Sequence, residues 1–120
     1  MAKPDPKLLD AKLKPFTKRT RRMLPSEAEK MSGLLSHWDL GDDRLYHTFK
    51  FKKYEHVKEF TNRVMNIWTD TPNHIGYVMA LENAVEVCQW TPAVDGLTEN
   101  DFIIAAKIHM LQWIDWQTRL

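Results

Sequence analysis

The chain has 120 residues, 43% of them hydrophobic and 28% charged, with seventeen basic against sixteen acidic side chains. That is enough for one domain around one core and too little for two. No apolar run reaches the roughly 18 residues of a membrane span, and a net charge of +1 excludes binding to nucleic acid through bulk charge alone.

Residues 1–23 stand apart. Prolines at 4, 6 and 15 accompany Lys12, Lys14, Lys18, Arg19, Arg21 and Arg22, with no acid between Asp10 and Glu27. This basic arm has three readings. It is a mitochondrial presequence, against which Asp5, Asp10 and the prolines count; or it meets RNA or an acidic protein surface through Lys18, Arg19, Arg21 and Arg22; or it is a solvated, mobile leader. A single domain is expected over 24–120.

Structure is expected to begin at Pro25, with Ser26 capping a short helix, Glu29 reaching back in a capping box, and Gly33 interrupting it. His37-Trp38-Asp39-Leu40 reads as a first strand turning at Gly41-Asp42-Asp43. In Arg44 to Lys52, Leu45, His47, Phe49 and Phe51 alternate with Tyr46, Thr48 and Lys50, giving a second strand with one apolar face. His47 lies on that face and reads as a satisfied structural histidine. From Tyr54 to Thr69 the period becomes helical, with Val57, Phe60, Val64, Ile67 and Trp68 in one stripe.

The stretch Asp70 to Asp101 reads as loop, hairpin and loop. Ile75, Tyr77, Met79 and Leu81 alternate with smaller residues, Glu82-Asn83 supplies a turn, and Val85, Val87 and Gln89 alternate with Glu86, Cys88 and Trp90. Loops beside a rigid sheet are where a site is built, and this stretch holds the lone His74. Thr98 then caps a last helix with Glu99 and Asp101 in its first turn and Phe102, Ala105, Ala106 and Ile108 on its core stripe. Trp113 and Trp116 are an apolar surplus three apart, read as a contact beyond this core or as a tuck against the same sheet. Two hairpins joined by a helix make an α+β fold of order α-β-β-α-β-β-α: a four-stranded, mostly antiparallel sheet with three helices on one face.

The lone thiol of Cys88 cannot form an internal disulfide, so an intracellular reducing compartment is expected, a mitochondrion or other organelle or else the cytoplasm. The five histidines, at 37, 47, 56, 74 and 109, have no paired metal-ligand spacing, and the four glycines form no phosphate loop, so no metal is assigned.

Over about residues 24 to 112 the chain resembles the pterin-4a-carbinolamine dehydratase family, also known as the dimerisation cofactor of a homeodomain factor. The likeness rests on Trp38, Phe49-Lys50-Phe51-Lys52-Lys53-Tyr54, Phe60 with Arg63-Val64, Asn73-His74 and Gly96-Leu97-Thr98-Glu99-Asn100-Asp101. The family pattern runs from an acidic residue through two adjacent histidines and a proline, an aromatic residue and a third histidine to an aspartate opening the last helix. Here Asp70, His74 and Asp101 hold family positions. Ile75 and Pro92 stand where the other two histidines would be, Gly76 where the proline would be and Glu82 where the aromatic would be.

The resemblance implies loss of water from a 4a-hydroxytetrahydropterin in tetrahydrobiopterin recycling, a lyase step needing a base and an acid near neutral pH. Imidazole suits both tasks, and isoleucine and proline suit neither. Two readings follow. In the first, a non-catalytic pseudoenzyme of this fold is an assembly or structural subunit with a macromolecular partner, using the face lined by Glu86, Cys88 and Trp90, the arm, and Trp113 with Trp116. In the second, Asp70 and His74, helped by Glu82 or Glu86, retain dehydratase activity on a bound pterin. No cofactor is assigned beyond that pterin. Both readings expect a homo-oligomer or a subunit of a larger assembly, because sheet edges pair between subunits in the family; the strand Arg44 to Lys52, with Lys50, Lys52 and Lys53 near its end, has the look of such an edge, and those lysines read equally as protection against such pairing.

Overall fold

The computed structural model describes residues 3–35 and 37–113. The fold is α+β, with four strands in one antiparallel sheet of order β1-β2-β4-β3. After α1 (Pro6–Leu9) and α2 (Pro25–Ser32) come β1 (Asp39–Gly41) and β2 (Arg44–Lys50), then α3 (Tyr54–Thr69), β3 (Tyr77–Ala80), β4 (Ala84–Gln89) and α4 (Glu99–Met110). Single 3-10 turns at Pro72–His74 and Pro92–Val94 flank the second hairpin, and another at Leu111–Trp113 follows α4. Among the described residues the α-helices number four rather than three, because α1 lies inside the basic arm.

Both hairpins form where the pattern places them, and α3 has the bounds that its stripe predicts. Asp42 and Asp43 take positive φ of 51° and 57°, which makes the first hairpin's two-residue turn. The first strand starts at Asp39 rather than His37, whose own φ of 67° is incompatible with a strand. The cap of α2 also shifts. Pro25, lacking an N–H and preset in φ, takes the first position, and Glu27 rather than Glu29 accepts the Leu24 N–H at 2.9 Å.

The inward sheet face carries Leu45 and Phe49 from β2 and Val85 and Val87 from β4, packed with Val57, Phe60 and Val64 of α3 and Phe102, Ile104, Ala105 and Ile108 of α4. Helix α4 is buried almost all round, so its stripe broadens to nearly the whole helix. At one end of the core Trp38 Nε1 donates to His109 Nδ1 at 3.0 Å, and the Trp38 ring stacks on His47. His47 donates from Nδ1 to the His37 carbonyl at 2.7 Å, so it is satisfied within the fold. Trp113 is half exposed, with its ring 5.6 Å from that of His109; Trp116 lies outside the described residues.

Two expectations change. Strand β2 is an edge only in part: β4 pairs with it from Leu45 to Lys50 on one side, whereas the short β1 covers only Arg44 to Tyr46 on the other, so among the described residues 47–50 have no strand partner on that side, and β1 and β3 are the outermost strands. The lysines that gave it an edge-like look lie at or beyond its end, where the chain leaves for α3. Structure also begins well before Pro25. Leu8 is a core residue, the Asp5 N–H donates to the Leu34 carbonyl at 2.9 Å, and the Met23 N–H to the Leu97 carbonyl at 2.6 Å. Weighing the arm by charge and proline passes over its spaced apolar residues Leu8, Leu9, Ala11 and Leu13, which supply the burial that holds it down.

Candidate functional site

Three pieces of chain meet at the mouth of the second hairpin. The 3-10 turn at Pro72–His74 brings His74 under the sheet, β4 ends on the inward-facing Gln89 with Thr91 two residues on, and the first turn of α4 supplies Asn100 and Asp101. The β3–β4 approach requires glycine at 76, since a Cβ there would sit 1.5 Å from the Cys88 carbonyl oxygen.

Asp101 is fully buried and organises a polar network. Its carboxylate accepts from Gln89 Nε2 at 2.8 Å, from Thr91 Oγ1 at 2.6 Å and from the Thr98 N–H at 2.9 Å, so it caps α4 as its position predicts. Gln89 is also fully buried. It donates to the His74 carbonyl and accepts from Trp68 Nε1 at 2.6 Å, tying sheet, α3 and site loop together.

His74 is 5% exposed, and both ring nitrogens are engaged. The tautomer follows from the partners. The Lys14 N–H donates to Asn100 Oδ1 at 2.8 Å, and Asn100 Nδ2 donates to the Lys14 carbonyl at 2.7 Å, which fixes the orientation of the amide. Asn100 Nδ2 therefore faces His74 Nε2, at 3.1 Å, as a donor. Nε2 accepts, Nδ1 carries the proton, and Nδ1–H donates to Thr91 Oγ1 at 2.8 Å, whose own hydroxyl donates to Asp101. Burial holds the His74 imidazole below its usual 6.5, with the Asp101 carboxylate pulling the other way. Burial in turn pushes the Asp101 carboxyl up, against the hydrogen bonds from Thr91, Gln89 and Thr98.

A pocket of about 310 Å³ opens beside His74, lined on one side by Asp70, Thr71, Pro72 and Asn73. Its other side is the arm: Leu13, Lys14, Pro15 and Phe16, with the Phe16 ring edge-on to His74 at 6.2 Å. Asp70 caps the C-terminal end of α3 and lines this pocket. Glu82 is in the exposed hairpin turn and Glu86 on the opposite sheet face from Gln89; neither lines the pocket.

Glu86 and Cys88 point away from the helices, Cys88 between Tyr46 and Tyr77 of the neighbouring strands. Burial pushes the Cys88 thiol up to about 11, although the Tyr46 hydroxyl hydrogen-bonds to it. Trp90 lies one residue past the end of β4, under the guanidinium of Arg44 at 4.6 Å; Arg44 alternates with Leu45 on β2 and so shares the outward face of Tyr46 and Cys88. In the arm, Arg22 faces Asp43 at 3.7 Å and packs on Gly96, where a Cβ would lie 2.7 Å from its own Cβ. Lys18, Arg19 and Arg21 are exposed and, among the described residues, unpaired. No group of three or more metal-ligating side chains occurs among the described residues.

The family profile for pterin 4 alpha carbinolamine dehydratase matches residues 21–111. The chain belongs to the pterin 4 alpha carbinolamine dehydratase family. A Nitrosomonas eutropha protein carrying that family's name is 37% identical over 109 residues, covering 87% of this chain and 92% of its own. An Arabidopsis thaliana relative, named pterin-4-alpha-carbinolamine dehydratase 2, mitochondrial, is 34% identical over 99 residues, 79% of this chain; the match spans only 53% of that protein. Among solved structures, a transcriptional coactivator/pterin dehydratase from Brucella melitensis superposes with a TM-score of 0.67 at 24% identity, over 76% of this chain and 98% of its own, a likeness of fold.

The resemblance to the family pattern singles out His74, Asp70 and Asp101. It misses Gln89, Thr91 and Asn100, which hold the histidine. One signal was available: Gln89 is the polar member of an inward triplet whose other two members are valines, and a buried amide on such a face has partners to satisfy.

Proposed function

We propose that this chain is a non-catalytic member of the pterin dehydratase family that works as an assembly or structural subunit bound to a macromolecular partner. One observation carries the reading: His74 has both nitrogens committed within the fold, to Thr91 and to Asn100. A general acid or base needs a nitrogen that can reach the substrate proton. The other two family histidine positions hold Ile75 and Pro92, which exchange no protons. Apolar side chains on and beside the edge strand β3, Ile75, Tyr77, Met79 and Leu81, are 39–47% exposed, which fits contact with another chain, a second copy included. Lys18, Arg19 and Arg21 are a further contact surface for RNA or an acidic protein.

A second reading keeps a residual dehydratase. It is favoured by the pocket beside His74, with Asp70 and Asn73 on its wall. Among the described residues no helix is long and apolar enough to cross a membrane. The lone thiol fits an intracellular site of action, and the Arabidopsis relative's name makes the mitochondrion the first compartment to test.

The deciding experiment follows formation of the quinonoid dihydropterin from the 4a-carbinolamine, with wild type and His74→Ala side by side. The non-catalytic reading expects a rate no better than buffer in both. Turnover that vanishes in His74→Ala overturns it.

A further inference from the structure

The segment that walls the pocket lies outside the 21–111 family match. It is anchored at one end by Leu8 in the core and at the other by the Met23 to Leu97 backbone hydrogen bond. Between these anchors, among the described residues, the hydrogen bonds from residues 11–16 to the body of the domain run to two neighbours only: Asn100, through both polar atoms of the Lys14 backbone, and Glu99, through the Lys14 ammonium. The Lys14–Glu99 pair is largely exposed and contributes little. Asn100 is 6% exposed and is the same side chain that occupies His74 Nε2. One amide therefore holds the segment shut and the histidine silent. Phe16 completes the closure over the imidazole.

We infer that Leu13–Phe16 is a latched cover over the His74 pocket, with Asn100 as the latch, and that a flat heteroaromatic ligand reaches His74 only when this cover lifts. Opening breaks both Asn100 bonds to the Lys14 backbone and removes the pocket wall, which leaves the Asn100 amide, still on His74 Nε2, as the last group a ligand must displace. The cover is independent of whether the pocket catalyses anything. It makes Asn100 a positioning residue and Phe16 a determinant of ligand access.

The test needs neither activity nor ligand. Diethyl pyrocarbonate acylates the free nitrogen of a neutral imidazole, and peptide mass spectrometry resolves each histidine in the full chain. His37 is exposed and serves as the reference; His109 is fully buried in the core and reports that the fold is intact. In wild type, His74 is expected to react at least about tenfold more slowly than His37, in proportion to the open fraction. Asn100→Ala removes both hydrogen bonds to Lys14, worth about a thirtyfold shift in the opening equilibrium at ordinary strengths. His74 should then approach the His37 rate while His109 stays protected. Phe16→Ala, which leaves Asn100 in place, should raise the His74 rate several-fold. A wild-type His74 as reactive as His37, or a Phe16→Ala variant with an unchanged His74 rate, overturns the cover. Loss of dehydratase turnover or its presence leaves these rates untouched, so the two proposals fail separately.

Discussion

Replacing Gln89 by leucine should be among the most damaging single changes near the site, although Gln89 does not itself line the pocket. The side chain is fully buried and serves three partners: it accepts from Trp68 Nε1 at 2.6 Å, donates to Asp101 Oδ1 at 2.8 Å and donates to the His74 carbonyl. Leucine is close in size and leaves all three groups without that partner. A buried polar group left unsatisfied costs about 1–3 kcal/mol. Three such losses, partly offset by the gain from burying leucine, give a net destabilisation of about 3 kcal/mol. For a domain of this size that corresponds to a fall of about 12 °C in Tm. Urea unfolding followed by tryptophan fluorescence and circular dichroism measures it, with an unchanged m value confirming that the folded state, not the reference, has moved. The cycle with Trp68→Phe adds a sharper test: once the indole N–H is gone, the Gln89→Leu penalty should shrink by about 1 kcal/mol. A loss below about 1 kcal/mol, or strict additivity in the cycle, refutes the view that Gln89 ties the network together.

Two further outcomes are expected. Leu8→Ala should cost about 2–4 kcal/mol, the range for a buried leucine, whereas a mobile leader would tolerate it within about 0.5 kcal/mol in the same urea titration. His74 is held below 6.5, so as pH falls from 6.5 the unfolded chain takes up the proton first and stability declines; His74→Gln should flatten that decline in free energies measured from pH 7 to 5. His47, also held down by burial, leaves a residual slope of the same sign, while Asp101, pushed up by burial, works oppositely toward the acidic end. Parallel wild-type and variant curves would show that His74 does not titrate as its burial requires.

Much of the fold could be read directly from residue order. Period-2 and period-3.6 patterns reflect how side chains leave a strand or a helix, and those directions are local; α3, both hairpins and the start of α4 follow from them. The family resemblance sets Ile75 and Pro92 where two histidines are expected, and neither side chain exchanges protons in any surroundings. Partner strands, by contrast, are chosen by the assembled sheet. Lysines near the end of β2 gave it the look of an edge, yet β4 takes one whole side of it and β1 the start of the other. The arm's charges were legible and its burial was not, because Leu8 and Phe16 gain stability only from surfaces that residues far along the chain create. Periodicity settled the elements, and the resemblance to the family pattern supplied the expectation that two histidine positions are vacant. Only the folded chain decided that Lys14, His74, Gln89, Thr91 and Asn100 meet, because hydrogen bonds between residues up to 86 positions apart exist only once the core has fixed the geometry between them.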